Sequence, residues 1–344
     1  MSYKLSILDQ SPILPETTAA DALQKSVYLA QKAEEWGYTR FWVSEHHNTD
    51  QLAGCSPEVL ISYLLARTSK IRVGSGGVML QHYSPYKVAE NFHVLSTLEP
   101  GRVDLGIGKA PGGLPLSTKA LQYGTVNDGK DFEDRLTFLQ KIIENSVDDD
   151  HPLAGIQATP IPPEKPEIFL LGASAKSAKL AADLGVSFVF ALFFNSDFDA
   201  LKEAAQVYRQ GYPDGRFLLS VSVVAAPTKI EAEQLAGDQK IIKVHLQSGR
   251  TVNVQSIEKA YEFVEQAGES FEIEEFDPKV IAGTPEYVKG ILNQLKREYG
   301  VDEFILHTPI QMDAERIRSF QLLSPLNTSD EGIKAIEHEE FVVK

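Results

Sequence analysis

A short apolar run, Phe41-Trp42-Val43, leads directly into Ser44-Glu45-His46-His47, so a carboxylate and two imidazoles sit where a strand would end. Metal binding is the first chemistry to weigh, because imidazoles and carboxylates are common ligands. Adjacent residues of an extended chain point to opposite sides, however, which keeps His46 and His47 off one ion. No metal is expected. The pattern predicts that one histidine faces a cleft, where an imidazole titrating near neutrality can manage a proton, while the other packs or hydrogen-bonds outside it. A structural role for both is the alternative.

Two further groups could hold a ligand. Leu170-Leu171-Gly172-Ala173-Ser174-Ala175-Lys176-Ser177 runs from a strand end through a glycine turn into the first turn of a helix. Free N–H groups, the positive end of the helix dipole and the Ser174 and Ser177 hydroxyls would converge there on an anion. Lys109, just beyond Gly106-Ile107-Gly108, could supply a neutralising charge. The plainer reading is that Ser174 only caps its helix and Lys109 is solvated. Val73-Gly74-Ser75-Gly76-Gly77 removes side chains from another strand end, so a flat ring system could lie against the backbone there. A bulge or tight turn without a ligand would use the same glycines.

The elements that must position these groups form a repeating pattern. Short runs rich in β-branched and aromatic residues occur at Lys4 to Leu8, Arg40 to Val43, Ile71 to Gly74, Val103 to Ile107, Ile168 to Leu171, Ser187 to Leu192, Phe217 to Val224 and Asp302 to Leu306. Helix-period segments separate them, several opened by proline, as in Ser56-Pro57-Glu58, Ser84-Pro85 and Thr284-Pro285-Glu286. Strand and helix alternating in this way predict an α/β fold, a (β/α)8 TIM barrel, in preference to an open doubly wound sheet. The whole chain, 1–344, reads as one domain. In such a barrel the loops after the strands form the active site, which is where the polar residues fall. Two connections are longer than a barrel needs, Lys109 to Lys130 and Lys240 to Ala282, the second mixing helical patterns with an acidic stretch from Glu269 to Phe276. Both are expected as extended loops at the C-terminal face.

Composition excludes more than it assigns. The 344 residues include 33 basic and 48 acidic side chains, a net charge of −15, which argues against nucleic acid and anionic membrane as partners. Cys55 is the only cysteine, so no intrachain disulfide and no thiolate cluster is expected. No signal-peptide pattern and no bilayer-length apolar stretch is evident, and a cytoplasmic location is the simplest expectation.

The ordered set Leu8-Asp9-Gln10-Ser11-Pro12, the run from Ala33 to His47, Val73 to Gly77, Ala89-Glu90, Pro100 to Lys109, Gly283-Thr284-Pro285-Glu286 and Arg316, Ser319 and Phe320 resembles the bacterial-luciferase-like flavin-dependent monooxygenases. The resemblance extends from Lys4 to about Leu323. It implies a barrel that binds reduced FMN, or a deazaflavin in one branch, at the C-terminal mouth, with a non-proline cis peptide here between Gly76 and Gly77. The ring system would lie near Ser75, Gly76, Gly77 and Gly108, and the phosphate near Lys109, Gly172, Ser174 and Ser177. Lysine at 109 stands where many relatives have arginine, a point charge in place of a bidentate fork.

The same resemblance implies that oxygen adds to the reduced flavin at C4a and that the resulting peroxide oxygenates a small organic substrate. His46 matches the family's active-site histidine, with Glu45 expected to orient it. From their places at the strand ends and neighbouring loops, Gln10, His82, Tyr83 and Phe193 would line the substrate pocket, with Phe190, Phe194, Asn195 and Leu114 nearby, in a space suited to aldehydes, aromatic or organosulfur compounds; barrel core is the alternative for the phenylalanines. Gly108 occupies the position of the luciferases' reactive cysteine, so a non-luminous bacterial enzyme is expected, taking its flavin from a separate reductase and pairing with itself as a homodimer. A deazaflavin-dependent hydride-transfer enzyme and a non-catalytic flavin-binding protein are the alternatives on the same scaffold.

Overall fold

Strand propensity and barrel closure account for the architecture together. In a computed structural model, which describes residues 3–326 apart from 195, 239, 248–250 and 255, the strands are, in chain order, β1 (Lys4–Asp9), β2 (Arg40–Val43), β3 (Arg72–Ser75), β4 (Val78–Met79), β5 (Val103–Gly108), β6 (Glu167–Gly172), β7 (Ser187–Ala191), β8 (Phe217–Ala225), β9 (Ile241–Leu246), β10 (Thr251–Val254), β11 (Phe271–Phe276), β12 (Val280–Gly283) and β13 (Glu303–His307). Eight of them close a parallel barrel in the order β1-β2-β3-β5-β6-β7-β8-β13, with β13 pairing back to β1. These are the eight runs read from the sequence, so the (β/α)8 TIM barrel is the observed fold. The short β4 adds to β5, and β12 runs parallel to the far half of β8.

The period-two alternation of the strands sorts their side chains. Leu8, Trp42, Phe169, Val189, Leu218 and Ile305 fill the barrel interior, while Ile7, Phe41, Val43, Val73, Leu105 and Ile107 join the larger core shared with the surrounding helices. At the strand starts the interior is charged. Arg40, 1% exposed, binds Asp104 at 2.9 Å, Glu303 at 3.0 Å and Glu167 at 3.1 Å. Arg72 binds Asp104 at 2.6 Å, and the Trp42 indole N–H donates to the same carboxylate at 2.9 Å. Burial alone would lower the Arg40 pKa, but Asp104, Glu303 and Glu167 outweigh it and raise it. These charges plug the barrel opposite its mouth.

The acidic stretch in the second long connection, for which the sequence assigned no element, forms one. It is a strand, β11, in a small antiparallel sheet of order β10-β9-β11. Its alternation, Phe271-Glu272-Ile273-Glu274, turns Ile273 inward and the glutamates outward, which is strand rather than helix periodicity. Ile242, Val244 and Leu246 of β9 pack with Ala260 and Phe263 of the helix Ile257–Ala267. Leu114, from the other long connection, completes that cluster, and the Leu116 N–H donates to the Gln266 side chain at 2.9 Å. The two long connections therefore form one cap.

Candidate active site

Alternation along the chain past β2 decides the roles of the polar cluster. Ser44 and His46 continue the inward register of Trp42, and the Ser44 hydroxyl meets His46 Nδ1 at 3.1 Å. Glu45 and His47 take the other side, where Glu45 Oε1 meets His47 Nε2 at 2.8 Å. One imidazole thus faces the mouth and the other is bonded outside it. Glu45 does not orient His46, contrary to expectation. Its carboxylate is spent on His47, on the Tyr83 hydroxyl at 2.7 Å and on the Met79 N–H at 3.0 Å. A residue one step before the histidine lies on the opposite face, and the residue two steps before it, Ser44, does the positioning.

His46 Nε2 has no partner among the described residues. Burial first, and then the neighbouring His47, lower its pKa to about 4 against the opposing pull of Glu45. The imidazole is therefore neutral near pH 7 rather than titrating there.

Glycines shape the neighbouring wall. The Gly76-Gly77 peptide is cis, as the resemblance implied. A Cβ on Gly76 would come within 2.6 Å of Leu8, and one on Gly77 within 2.8 Å of the Gly106 backbone. A Cβ on Gly108 would meet only Met79, at 3.5 Å and beyond, so this position opens onto the mouth. Ser75 departs from its expected role, because its hydroxyl is buried and donates to the Gly106 carbonyl at 2.8 Å, bracing β3 on β5.

At the expected anion site the structure shows a capped helix start, with the Ser177 hydroxyl donating to the Ser174 carbonyl at 2.9 Å. Ser174 caps the helix Ala175–Asp183, accepting from the Ser177 N–H at 3.3 Å, and the two hydroxyls lie 3.0 Å apart. Gly172 serves packing, since a Cβ there would overlap the Ser177 side chain and push the helix start off β6. Lys109 is exposed, with its ammonium 5.8 Å from the Phe132 ring, and Lys176 pairs with the adjacent Glu133 at 3.1 Å. Both lysines gather at the start of the helix Phe132–Glu144.

Two expected pocket residues prove to be braces. His82 Nε2 donates to the Pro111 carbonyl at 2.9 Å while its Nδ1 accepts from Gln122 at 3.0 Å, so the ring ties the first long connection down. The Tyr83 hydroxyl is committed to Glu45, and burial followed by that carboxylate raises its pKa. Phe190 belongs to the core shared with the helices, whereas Phe193 packs on the interior cluster near the mouth. Asn195 lies outside the described residues.

The sequence reading missed His307, at the end of β13. Its Nε2 lies 3.0 Å from Gln10 Oε1, and its ring stacks on Phe193 at 5.3 Å. The available signal was position: His307 follows Ile305 by two residues at a strand exit, which turns it inward. Among the described residues no group of three or more His, Cys, Asp or Glu side chains is placed to hold a metal ion. A cavity of about 340 Å³ lies away from the mouth, between β8, β12 and the helix Pro285–Tyr299, and none of the expected site residues lines it.

Comparison with known proteins agrees with this geometry. The family model for luciferase-like monooxygenase matches residues 3–303. An N-acetyl-S-alkylcysteine monooxygenase of Bacillus subtilis (strain 168) is 50% identical over 324 residues, covering 93% of this chain and 97% of the relative. The crystal structure of apo-MsnO8 superposes with a TM-score of 0.76 at 35% identity, over 94% of this chain and 97% of the other. The oxygenating constituent of 3,6-diketocamphane monooxygenase from Pseudomonas putida, solved in complex with FMN, shares the fold at a TM-score of 0.68 and 20% identity, over 94% and 97% of the two chains.

Proposed function

The chain belongs to the luciferase-like monooxygenase family, and on that premise we propose that it is a flavin-dependent monooxygenase, supplied with reduced FMN by a separate reductase, that oxygenates the sulfur of a small thioether. The observation that carries this reading is the division of the mouth. Gly76 and Gly77 let the backbone pack directly on Leu8 and Gly106, and Gly108 opens onto the mouth, a backbone-lined wall on the face to which the neutral His46 points. A planar ring system fits such a wall, and its phosphate fits the helix start at Ser174 and Ser177 with Lys109 as counter-charge. The thioether is supported by the half-identical relative, whose name specifies an S-alkyl sulfur.

In each turnover one atom of O2 goes to the sulfur lone pair to give a sulfoxide, and the other leaves as water with two electrons and two protons drawn from the reduced flavin. The protein's own tasks are placement, exclusion of water and proton control. Ser44 fixes the His46 ring through Nδ1, which leaves Nε2 as the atom where a proton is held or moved at the reacting end. Leu171, Phe193 and the cap built on Leu114 limit the entry of water. No helix among the described residues is long and apolar enough to cross a membrane. A cytoplasmic homodimer fits the same reading.

The test couples the purified protein to a flavin reductase and an N-acetyl-S-alkylcysteine under 18O2, with products read by mass spectrometry. One labelled oxygen in a sulfoxide is the expected result. Flavin binding without a labelled product from any thioether would overturn the reaction, and preferential binding of a deazaflavin over FMN would move the assignment to hydride transfer.

A further inference from the structure

The mouth holds a second polar pair that the proton-control role of His46 does not use. Gln10 directly follows β1 and His307 ends the adjacent β13, each two residues beyond an interior side chain, Leu8 and Ile305, so both point inward above the barrel core. The Gln10 carbonyl oxygen can only accept, so the 3.0 Å contact fixes His307 as the Nε2–H tautomer donating to Gln10 Oε1. The ring cannot swing away readily, because Phe193 stacks on it at 5.3 Å and 28°. The Gln10 carboxamide is thereby held in one orientation. Its amide nitrogen has no partner among the described residues and is not among the enclosed unpaired atoms, so its N–H donors open to the mouth. His307 Nδ1, by contrast, is enclosed and unpaired.

We propose that Gln10 is a substrate-anchoring residue whose amide N–H groups hold a carbonyl or carboxylate oxygen of the substrate, and that His307 is the positioning residue that aims them. The inference rests on reading the mouth as a substrate pocket, and it adds a requirement: the thioether carries an oxygen acceptor at a distance from its sulfur. It also separates two tasks on neighbouring strands. His46 serves the reacting end, and Gln10 with His307 selects what is brought to it. A neutral amide suits this work, because it donates to either an amide carbonyl or a carboxylate and keeps its donors at any pH. Such bonds discriminate well in a partly dry site, since a substrate lacking the oxygen leaves the donors unpaired.

Calorimetric titration tests the anchor without requiring turnover. The two probes are an N-acetyl-S-alkylcysteine and a dialkyl sulfide with the same alkyl group but no carbonyl or carboxylate. The wild-type chain is expected to bind the first about tenfold more tightly or better, the scale of one or two hydrogen bonds to a charged or carbonyl oxygen. Gln10→Leu and His307→Phe are expected to abolish that preference, bringing the affinities of the two probes together. His307→Gln, which keeps an N–H donor near the same place, is expected to restore most of it, an outcome that a merely space-filling histidine would not produce. The proposal is overturned if wild type shows no preference, if neither probe binds, or if the preference survives in Gln10→Leu. A preference that follows this pattern in a protein that never makes sulfoxide would sustain the anchor and remove only the proposed reaction.

Discussion

His46 and His307 both take a proton only near pH 4, and burial is the main cause in each. His47 adds to the penalty at His46, and Arg316 at His307, against weaker help from Glu45 and Asp9. In the unfolded chain both imidazoles titrate near 6.5, at about 1.4 kcal/mol per unit of difference. Between 6.5 and 4 the unfolded state therefore binds more protons than the folded one, so stability falls as pH drops through that window and is unaffected above it. Ring-proton NMR should show neither imidazole titrating near 6.5, and a midpoint there for either would refute the assignment. His46→Ala should lower turnover by about 100- to 10,000-fold with flavin affinity little changed. Ser44→Ala should act in the same direction but less strongly. Glu45→Gln should show its main effect in thermal stability, because its partners are His47, Tyr83 and the Met79 N–H.

At the scale of elements, the helix start at Ser174 and the lysine beyond β5 form a phosphate site only if they act together. Lys109→Ala should weaken FMN binding by about tenfold, the scale of one charge-assisted contact, and should leave riboflavin binding unchanged. Equal weakening of both ligands would show that Lys109 does not meet the phosphate. The small sheet β10-β9-β11 depends on a cluster of its own, with Phe263 at its centre and Leu114 reaching in from the other long connection. Phe263→Ala removes a fully buried ring, worth roughly 3–5 kcal/mol in a packed core. Limited proteolysis should then cut within 241–276 while the barrel keeps its far-UV circular dichroism.

For the molecule as a whole, the charged plug sets the cost of losing a single residue. Arg40 neutralises carboxylates from β5, β6 and β13 inside the barrel. Arg40→Met should destabilise the fold by about 3–5 kcal/mol, because Asp104 and Glu303 would remain buried with one partner fewer. Chemical denaturation measures this directly, and a loss below about 1 kcal/mol would mean that Arg72 and water compensate. The plug lies at the strand starts and the chemistry at the strand ends, so this variant should reduce stability more than specific activity at low temperature.

Alternation and strand position were local enough to be read from the sequence. They located the eight barrel strands, the opposite facing of His46 and His47, the glycine wall and the helix start at Ser174. The same alternation could have assigned Ser44 rather than Glu45 to His46, and could have marked His307 two residues beyond Ile305. Contacts between distant segments were not legible, because no local pattern encodes which strand ends meet when a barrel closes. Closure brought Arg40 to Asp104 and Glu303, joined the two long connections through Leu114, and committed His82, Tyr83 and Ser75 to bracing. It also set His307 beside Gln10, across 297 residues of chain. The sequence determined which residues could do chemistry, and the tertiary structure decided which of them still had a free polar atom to do it with, since a hydrogen bond made to a neighbour is no longer open to a ligand.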